Sequence, residues 1–160
     1  MLPVRTILHP TDFSAYAENA FALACSLARD YQARLLVLHV LAPPEEAEEG
    51  MEILPYPESY RKDLLERLAQ LYAPDADVRV EDRVVEGHAA TAILEAAARE
   101  QCDLIVMGTH GRSGLGRLLM GSVAEEVVRK APCPVLTVKM PVGRPGQAVE
   151  VHQPLTSSGV

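Results

Sequence analysis

Basic residues are in short supply in this chain. Lysine and arginine number 15 against 22 aspartates and glutamates, for a formal charge of −7, and they form no run. Aromatic residues make up 4% of the sequence and tryptophan is absent. Affinity for polynucleotides comes mainly from phosphate neutralisation by Lys and Arg, helped by aromatic stacking, so nucleic acid is not an expected partner. Long apolar runs are missing too. No stretch approaches the ~18 consecutive apolar residues needed to span a bilayer, and the N-terminal MLPVRTILHPTD lacks the apolar segment and cleavage site of a secretory signal. A soluble, cytoplasmic protein with no membrane partner is expected. The cysteines, Cys25, Cys102 and Cys133, are scattered and form no C-x-x-C pair. That pattern speaks against a disulfide framework or a cysteine zinc site and points to reduced thiols, with Cys133, between two prolines, the most accessible.

What the chain does have is glycine gathered in one place. Residues 104–122, LIVMGTHGRSGLGRLLMGS, pass from four apolar residues into Gly108, Gly111, Gly114, Gly116 and Gly121 before a helical pattern begins at Ser122. A buried strand empties into a glycine-rich loop that feeds a helix. Glycine lets the backbone approach a ligand closely, so successive N–H groups can converge on one anion. A helix amino terminus beyond the loop adds unpaired donors and about half a unit of positive charge. The expected ligand is a phosphate. Two familiar phosphate loops do not fit, because Gly121-Ser122 carries no lysine and no G-x-G-x-x-G can be drawn through these glycines. The spacing is instead Gly108-x-x-Gly111, nine residues, then Gly121-Ser122, a full G-x-x-G-x9-G-[S/T]. On this motif the chain resembles the universal stress protein family, and specifically its ATP-binding branch. ILHPTDFS, LLVLHV and PCPVLTVK resemble further family landmarks in the same order, so the likeness covers roughly residues 4–139.

At 160 residues, 48% of them hydrophobic, the chain is long enough to bury a core as one domain. Residues 4–9 read as a strand ended by Pro10. Thr11, Asp12, Phe13 and Ser14 then open a helix whose inward face is Ala17, Ala20, Phe21, Ala24, Leu27, Ala28 and Tyr31. Residues 35–40 are apolar but for His39, as a strand covered on both faces would be. Residues 42–57 hold five glutamates and several prolines, the composition of a solvated loop beside the expected site. A second helix follows with Leu64, Leu65, Leu68, Leu71 and Tyr72 inward. The half-polar run 78–85 suits an edge strand. A third helix at 89–100 faces inward through Ile93, Leu94 and Ala97, a central strand follows at 104–107, and a fourth helix at 122–130 faces inward through Val123, Val127 and Val128. Residues 134–139 form a last strand. The expected fold is α/β, a three-layer sandwich around a five-stranded parallel sheet of order 3-2-1-4-5, like that of adenine-nucleotide alpha-hydrolases, over 1–140, with a tail at 141–160. Its topological switch point lies between the first and fourth strands, where open α/β sheets bind ligands.

The resemblance implies an adenine nucleotide, ATP, ADP or AMP, held by Pro10, Thr11, Asp12, Val40, Met107, Gly108, Gly111, Arg112, Gly121, Ser122 and Val123. Asp12 would meet a ribose hydroxyl or a magnesium or manganese ion; as a residue type in that place it also reads as a helix cap. Val40 would read the adenine edge with its backbone, and is otherwise a core residue. Ser122 and Glu125 together also spell a capping box. Arg112 and Arg117 are either phosphate ligands or surface cations. His110 orients the turn. His9 and His39 are expected to be satisfied core histidines, since a metal pair would lack further ligands. The resemblance also implies a homodimer, and the expected strand at 134–139, with little charge on its outer edge, would pair with its twofold mate. The implied function is a nucleotide-dependent regulatory or stress-response module. The alternatives are a slow ATPase or adenylyl-transferring enzyme using Asp12 or His110, and a dimeric scaffold without ligand.

Overall fold

The computed structural model describes residues 3–43, 56–72, 77–110 and 120–140. The acidic stretch 42–57, apart from its ends, and the expected tail 141–160 lie outside the described residues. Strands and helices alternate as β1 (Thr6–Thr11), α1 (Ala15–Tyr31), β2 (Arg34–Leu41), α2 (Glu58–Leu71), β3 (Val80–Glu86), α3 (Ala89–Arg99), β4 (Leu104–Gly108), α4 (Ser122–Lys130) and β5 (Val135–Val138). The five strands form one parallel sheet in the order β3-β2-β1-β4-β5. This is the α/β architecture and order expected from the sequence. Among the described residues no helix is long and apolar enough to cross a membrane.

Alternation along the buried strands divides the core in two. Ile7, Leu35, Val37 and Val106 face α1 and α2, packing with Ala24, Ala28, Leu64, Leu68 and Tyr72. Leu8, Leu36, Leu38, Ile105 and Met107 face α3 and α4, packing with Ile93, Ala97, Ala124 and Val127. Cys25 and Cys102 are buried in these layers and Cys133 is partly exposed. Burial pushes the Cys102 thiol up to about 12 and raises that of Cys133, so both stay protonated at neutral pH.

Several helical faces are narrower than periodicity suggests. In α2 the buried line is Leu64, Leu68 and Tyr72, while Leu71 is 47% exposed and Leu65 sits at the rim. Val128 in α4 and Tyr31 at the end of α1 are also exposed, at 46% and 44%. Each stands one residue or one turn beyond the stripe that meets the sheet, and a short helix on a flat layer buries only that stripe.

β1 does not end at Pro10, contrary to expectation. Its pairing with β2 continues through Pro10↔Leu38 to Thr11↔His39, whereas its pairing with β4 stops at Leu8↔Ile105. In a parallel ladder the next bond on the β4 side would be donated by the amide of residue 10 to the Val106 carbonyl, and proline has no amide hydrogen. His9 supplies the missing donor: its Nδ1 lies 2.9 Å from the Val106 oxygen. The strands are thus free to part at the switch point without leaving a buried carbonyl unpaired. The arrangement fixes the tautomer, with the proton on Nδ1, and leaves Nε2 buried without a hydrogen-bond partner. Only half of the expected satisfaction of His9 is met.

Burial lowers the His9 pKa from its ordinary 6.5 to about 4, against the opposing effects of the Val106 bond and the charge of Asp12. The folded protein therefore keeps His9 neutral at pH values where the unfolded chain protonates it. This group's contribution is complete above pH ~6.5 and is lost as the pH falls to about 4, amounting to about 3 kcal/mol. Urea unfolding at pH 7 and pH 4 is expected to show that loss in the wild type and a correspondingly flatter dependence in His9→Gln. Equal pH slopes for the two proteins would contradict it.

Candidate functional site

Where β1 and β4 part, a cleft of about 700 Å³, counting its open mouth, runs along the carboxyl edge of the sheet. Pro10, Thr11 and Asp12 border it from β1, and Gly108, Thr109 and His110 from β4. The first turn of α4, Gly121 to Ala124, closes one side, and Leu38, Val40, Ala89, Ile93 and Met107 make an apolar wall. Of the residues nominated from the sequence, Pro10, Thr11, Asp12, Val40, Met107, Gly108, Gly121, Ser122 and Val123 are brought together here. Gly111, Arg112 and Arg117 lie outside the described residues.

Gly108 is dictated by packing as well as by the cleft. A Cβ at this position would lie 2.9 Å from Tyr16 Cβ and 3.0 Å from its backbone carbonyl, so α1 can rest on the end of β4 only if residue 108 has no side chain. Thr109, buried, fastens the two ends of the glycine-rich segment. Its amide donates to the Val138 carbonyl at 3.1 Å, its own carbonyl accepts from Gly121 N at 2.7 Å, and its hydroxyl lies 3.0 Å from His110 Nδ1. The His110 ring in turn packs on Tyr16 at 5.3 Å between centroids.

The amino end of α4 opens onto the cleft. Its N-cap is Gly121, in an extended conformation, and among the described residues no side chain caps it. The capping box expected of Ser122 and Glu125 is therefore not formed. Ser122 is already the first helical residue, one position too late to cap, and Glu125 donates its amide to the Gly121 carbonyl. α1 is capped in the ordinary way by Ser14, whose hydroxyl accepts from Ala17 N, while Asp12 Oδ1 accepts from Ser14 N at 3.0 Å in the turn before it. The contrast is chemical: one helix meets the cleft edge with its donors bound by a side chain, the other without such a cap.

The turn that carries Asp12 is held from both sides. Thr11 Oγ1 accepts from Phe13 N at 3.0 Å and shares a hydrogen bond with Tyr72 Oη, and the Thr11 carbonyl accepts from His39 Nδ1 at 2.9 Å. Phe13 has φ of 62°, a left-handed conformation that costs a bulky residue roughly 1–2 kcal/mol. The Arg67 guanidinium lies 4.1 Å above its ring, and the His39 ring packs against it at 4.5 Å. These contacts offset the strain.

The geometry is matched by known proteins. The profile described as the universal stress protein family covers residues 3–139, which include every element of the sheet and its helices. The chain belongs to the universal stress protein family. A universal stress protein of Thermus aquaticus is 41% identical over 140 residues, covering 84% of this chain and 98% of that relative. Universal stress protein MJ0531 of Methanocaldococcus jannaschii is 35% identical over 144 residues, 86% of this chain and 83% of the relative. The structure of universal stress protein UspA from Lactobacillus plantarum superposes with a TM-score of 0.73 at 27% identity, covering 86% of this chain and 99% of that one.

Sequence reasoning about this universal stress protein passed over Thr109, the apolar wall of Leu38, Ala89 and Ile93, and the Tyr72 contact. Leu38 and Ile93 were legible as core residues, and the strand order could have placed them at the cleft. Tyr72 meets Thr11 across 61 positions, and no local pattern signals such a contact.

Replacing Gly108 with alanine is expected to destabilise the fold by about 1–3 kcal/mol, because the new methyl must displace α1 backbone and not a flexible side chain. Urea denaturation measures this directly. A variant as stable as the wild type would show that α1 does not need the missing side chain.

Proposed function

We propose that this universal stress protein binds ATP in the cleft between β1 and β4 and works as a nucleotide-dependent stress-response module. Membership of the family carries the stress-response part of that reading in broad terms; the nucleotide is inferred from the cleft. The single observation that carries it is the α4 amino terminus, uncapped by any side chain among the described residues, opening at a glycine-lined cleft on the switch point of the sheet. A phosphate meets several such donors at once. Each amide bond to a charged oxygen contributes on the order of 1.5–3 kcal/mol before ordering costs, and a few of them support micromolar affinity, about −8 kcal/mol. The apolar wall beside Val40 suits a purine base, while Asp12 offers the hard oxygen that magnesium or manganese prefers. Which of ATP, ADP and AMP prevails follows from how far the donors of α4 reach beyond the first phosphate.

The chain's −7 charge repels ATP at long range. Binding therefore has to come from local donors, and the reading stands or falls with them. Calorimetric titration with ATP and magnesium is expected to give micromolar affinity for the wild type and no measurable heat for Gly121→Val, whose side chain would occupy the space before α4. Identical heats from both proteins, or none from either, would remove nucleotide binding from the account.

We also propose that β5 pairs with its twofold mate in a homodimer. β5 is the edge strand of the sheet, and Leu136 within it and Met140 just beyond it are exposed. Light scattering on a sizing column is expected to return twice the chain mass at micromolar concentration, and a monomer there would contradict the pairing.

A further inference from the structure

We infer that Tyr72, at the end of α2 and outside the cleft, is a positioning residue for nucleotide binding: through its hydrogen bond to Thr11 it sets the turn that presents Asp12 to the ligand. The inference rests on the reading of the cleft given above and assigns a role to a residue on the opposite face of the sheet.

Three observations carry it. Tyr72 is 1% exposed, packed edge-on against Phe21 at 4.6 Å and against His9 at 5.8 Å, so its ring has one place to be and its hydroxyl has one direction to point. That hydroxyl meets Thr11 Oγ1, the same atom that accepts the Phe13 amide. Thr11 and Phe13 flank Asp12 directly, and Thr11 and Asp12 line the cleft while Tyr72 does not. A displacement at Thr11 is therefore passed to the Asp12 carboxylate within one residue. Burial raises the Tyr72 phenol above its ordinary value, so at neutral pH it is a neutral hydroxyl able to share this bond.

The chain has reason to build such a brace. Asp12 follows the point where β1 loses its β4 partner, so the sheet holds the turn from the β2 side only, through the His39 bond to the Thr11 carbonyl. Phe13 sits in a conformation that relaxes unless it is held. Helix α2 supplies what β4 no longer gives, with Tyr72 on Thr11 and Arg67 on the Phe13 ring. A purely structural tyrosine would change stability on losing its hydroxyl. A positioning tyrosine also changes what Asp12 does for the ligand.

The test is a double-mutant cycle read as the dissociation constant for ATP with magnesium, measured on the full chain well below each variant's melting temperature. Tyr72→Phe is expected to weaken binding roughly fivefold, the factor that one ordinary hydrogen bond gives. In an Asp12→Ala background, where the group being positioned is gone, the same substitution is expected to change affinity by less than about twofold. Thr11→Val, which removes the other half of the bond together with the acceptor of the Phe13 amide, is expected to lose at least as much, and adding Tyr72→Phe to it is expected to change nothing further. Wild-type affinity in Tyr72→Phe, or losses that multiply in the double variant with Asp12→Ala, would overturn the role of Tyr72 while leaving the cleft's function intact. A wild type that binds no ATP would overturn both, and is recognised by its silence before any variant is made.

Discussion

The molecule turns on one missing hydrogen. Pro10 brings no amide to the Val106 carbonyl, so the ladder between β1 and β4 stops at Leu8↔Ile105 while β1 goes on beside β2. His9, one residue earlier, reaches across and bonds that carbonyl with its imidazole. Without the histidine the opening would leave a buried carbonyl unpaired, and the proline removes the donor that would carry the ladder one bond further. Everything described at the carboxyl edge follows from this exchange: the cleft, the exposure of Asp12 to it, and the access of the α4 amino terminus to its interior.

The exchange has a cost that the surrounding structure absorbs. His9 keeps an unpartnered Nε2 among the rings of Phe21 and Tyr72, and Phe13 is held in a conformation its side chain disfavours. Strain and unmet polar groups tend to collect where a protein does something other than fold. On the far side of the cleft the logic is reversed. Gly108 is bare because α1 lies on it, Thr109 joins the segment's two ends and bonds to β5, and among the described residues no side chain caps α4. One wall is braced by side chains from α2 and β2, and the other offers backbone. That division fits a ligand with a charged tail and a flat apolar body, held against a chain whose net charge opposes it.

Much of this could be read from the residues alone. Continuous apolar runs gave away the buried strands, the half-polar 78–85 segment declared an edge, and glycine spacing marked the segment after β4, because each of these depends on neighbours in sequence. What escaped depends on neighbours in space. Pro10 looked like a terminator because proline usually is one, and only the register with β4 shows that it interrupts one ladder and not the other. Ser122 and Glu125 had the spelling of a capping box, but Gly121 took the cap position and moved the serine inside the helix. Leu71 and Val128 shared the hydrophobic character of their faces without sharing the stripe that meets the sheet. Tyr72 was assigned to the core correctly, yet its hydroxyl, the part that reaches the cleft's border, has no signature in a helical pattern.

The claim at the centre is that backbone amides at the mouth of the sheet receive the phosphates. Nuclear magnetic resonance of the nitrogen-15-labelled protein, titrated with ATP and magnesium and then separately with adenosine, addresses those amides one by one. The account predicts large, saturable shifts for Gly108, Ser122 and Val123 with ATP and much smaller ones with adenosine. Shifts of equal size with both ligands, or shifts confined to residues away from β4 and α4, would contradict it.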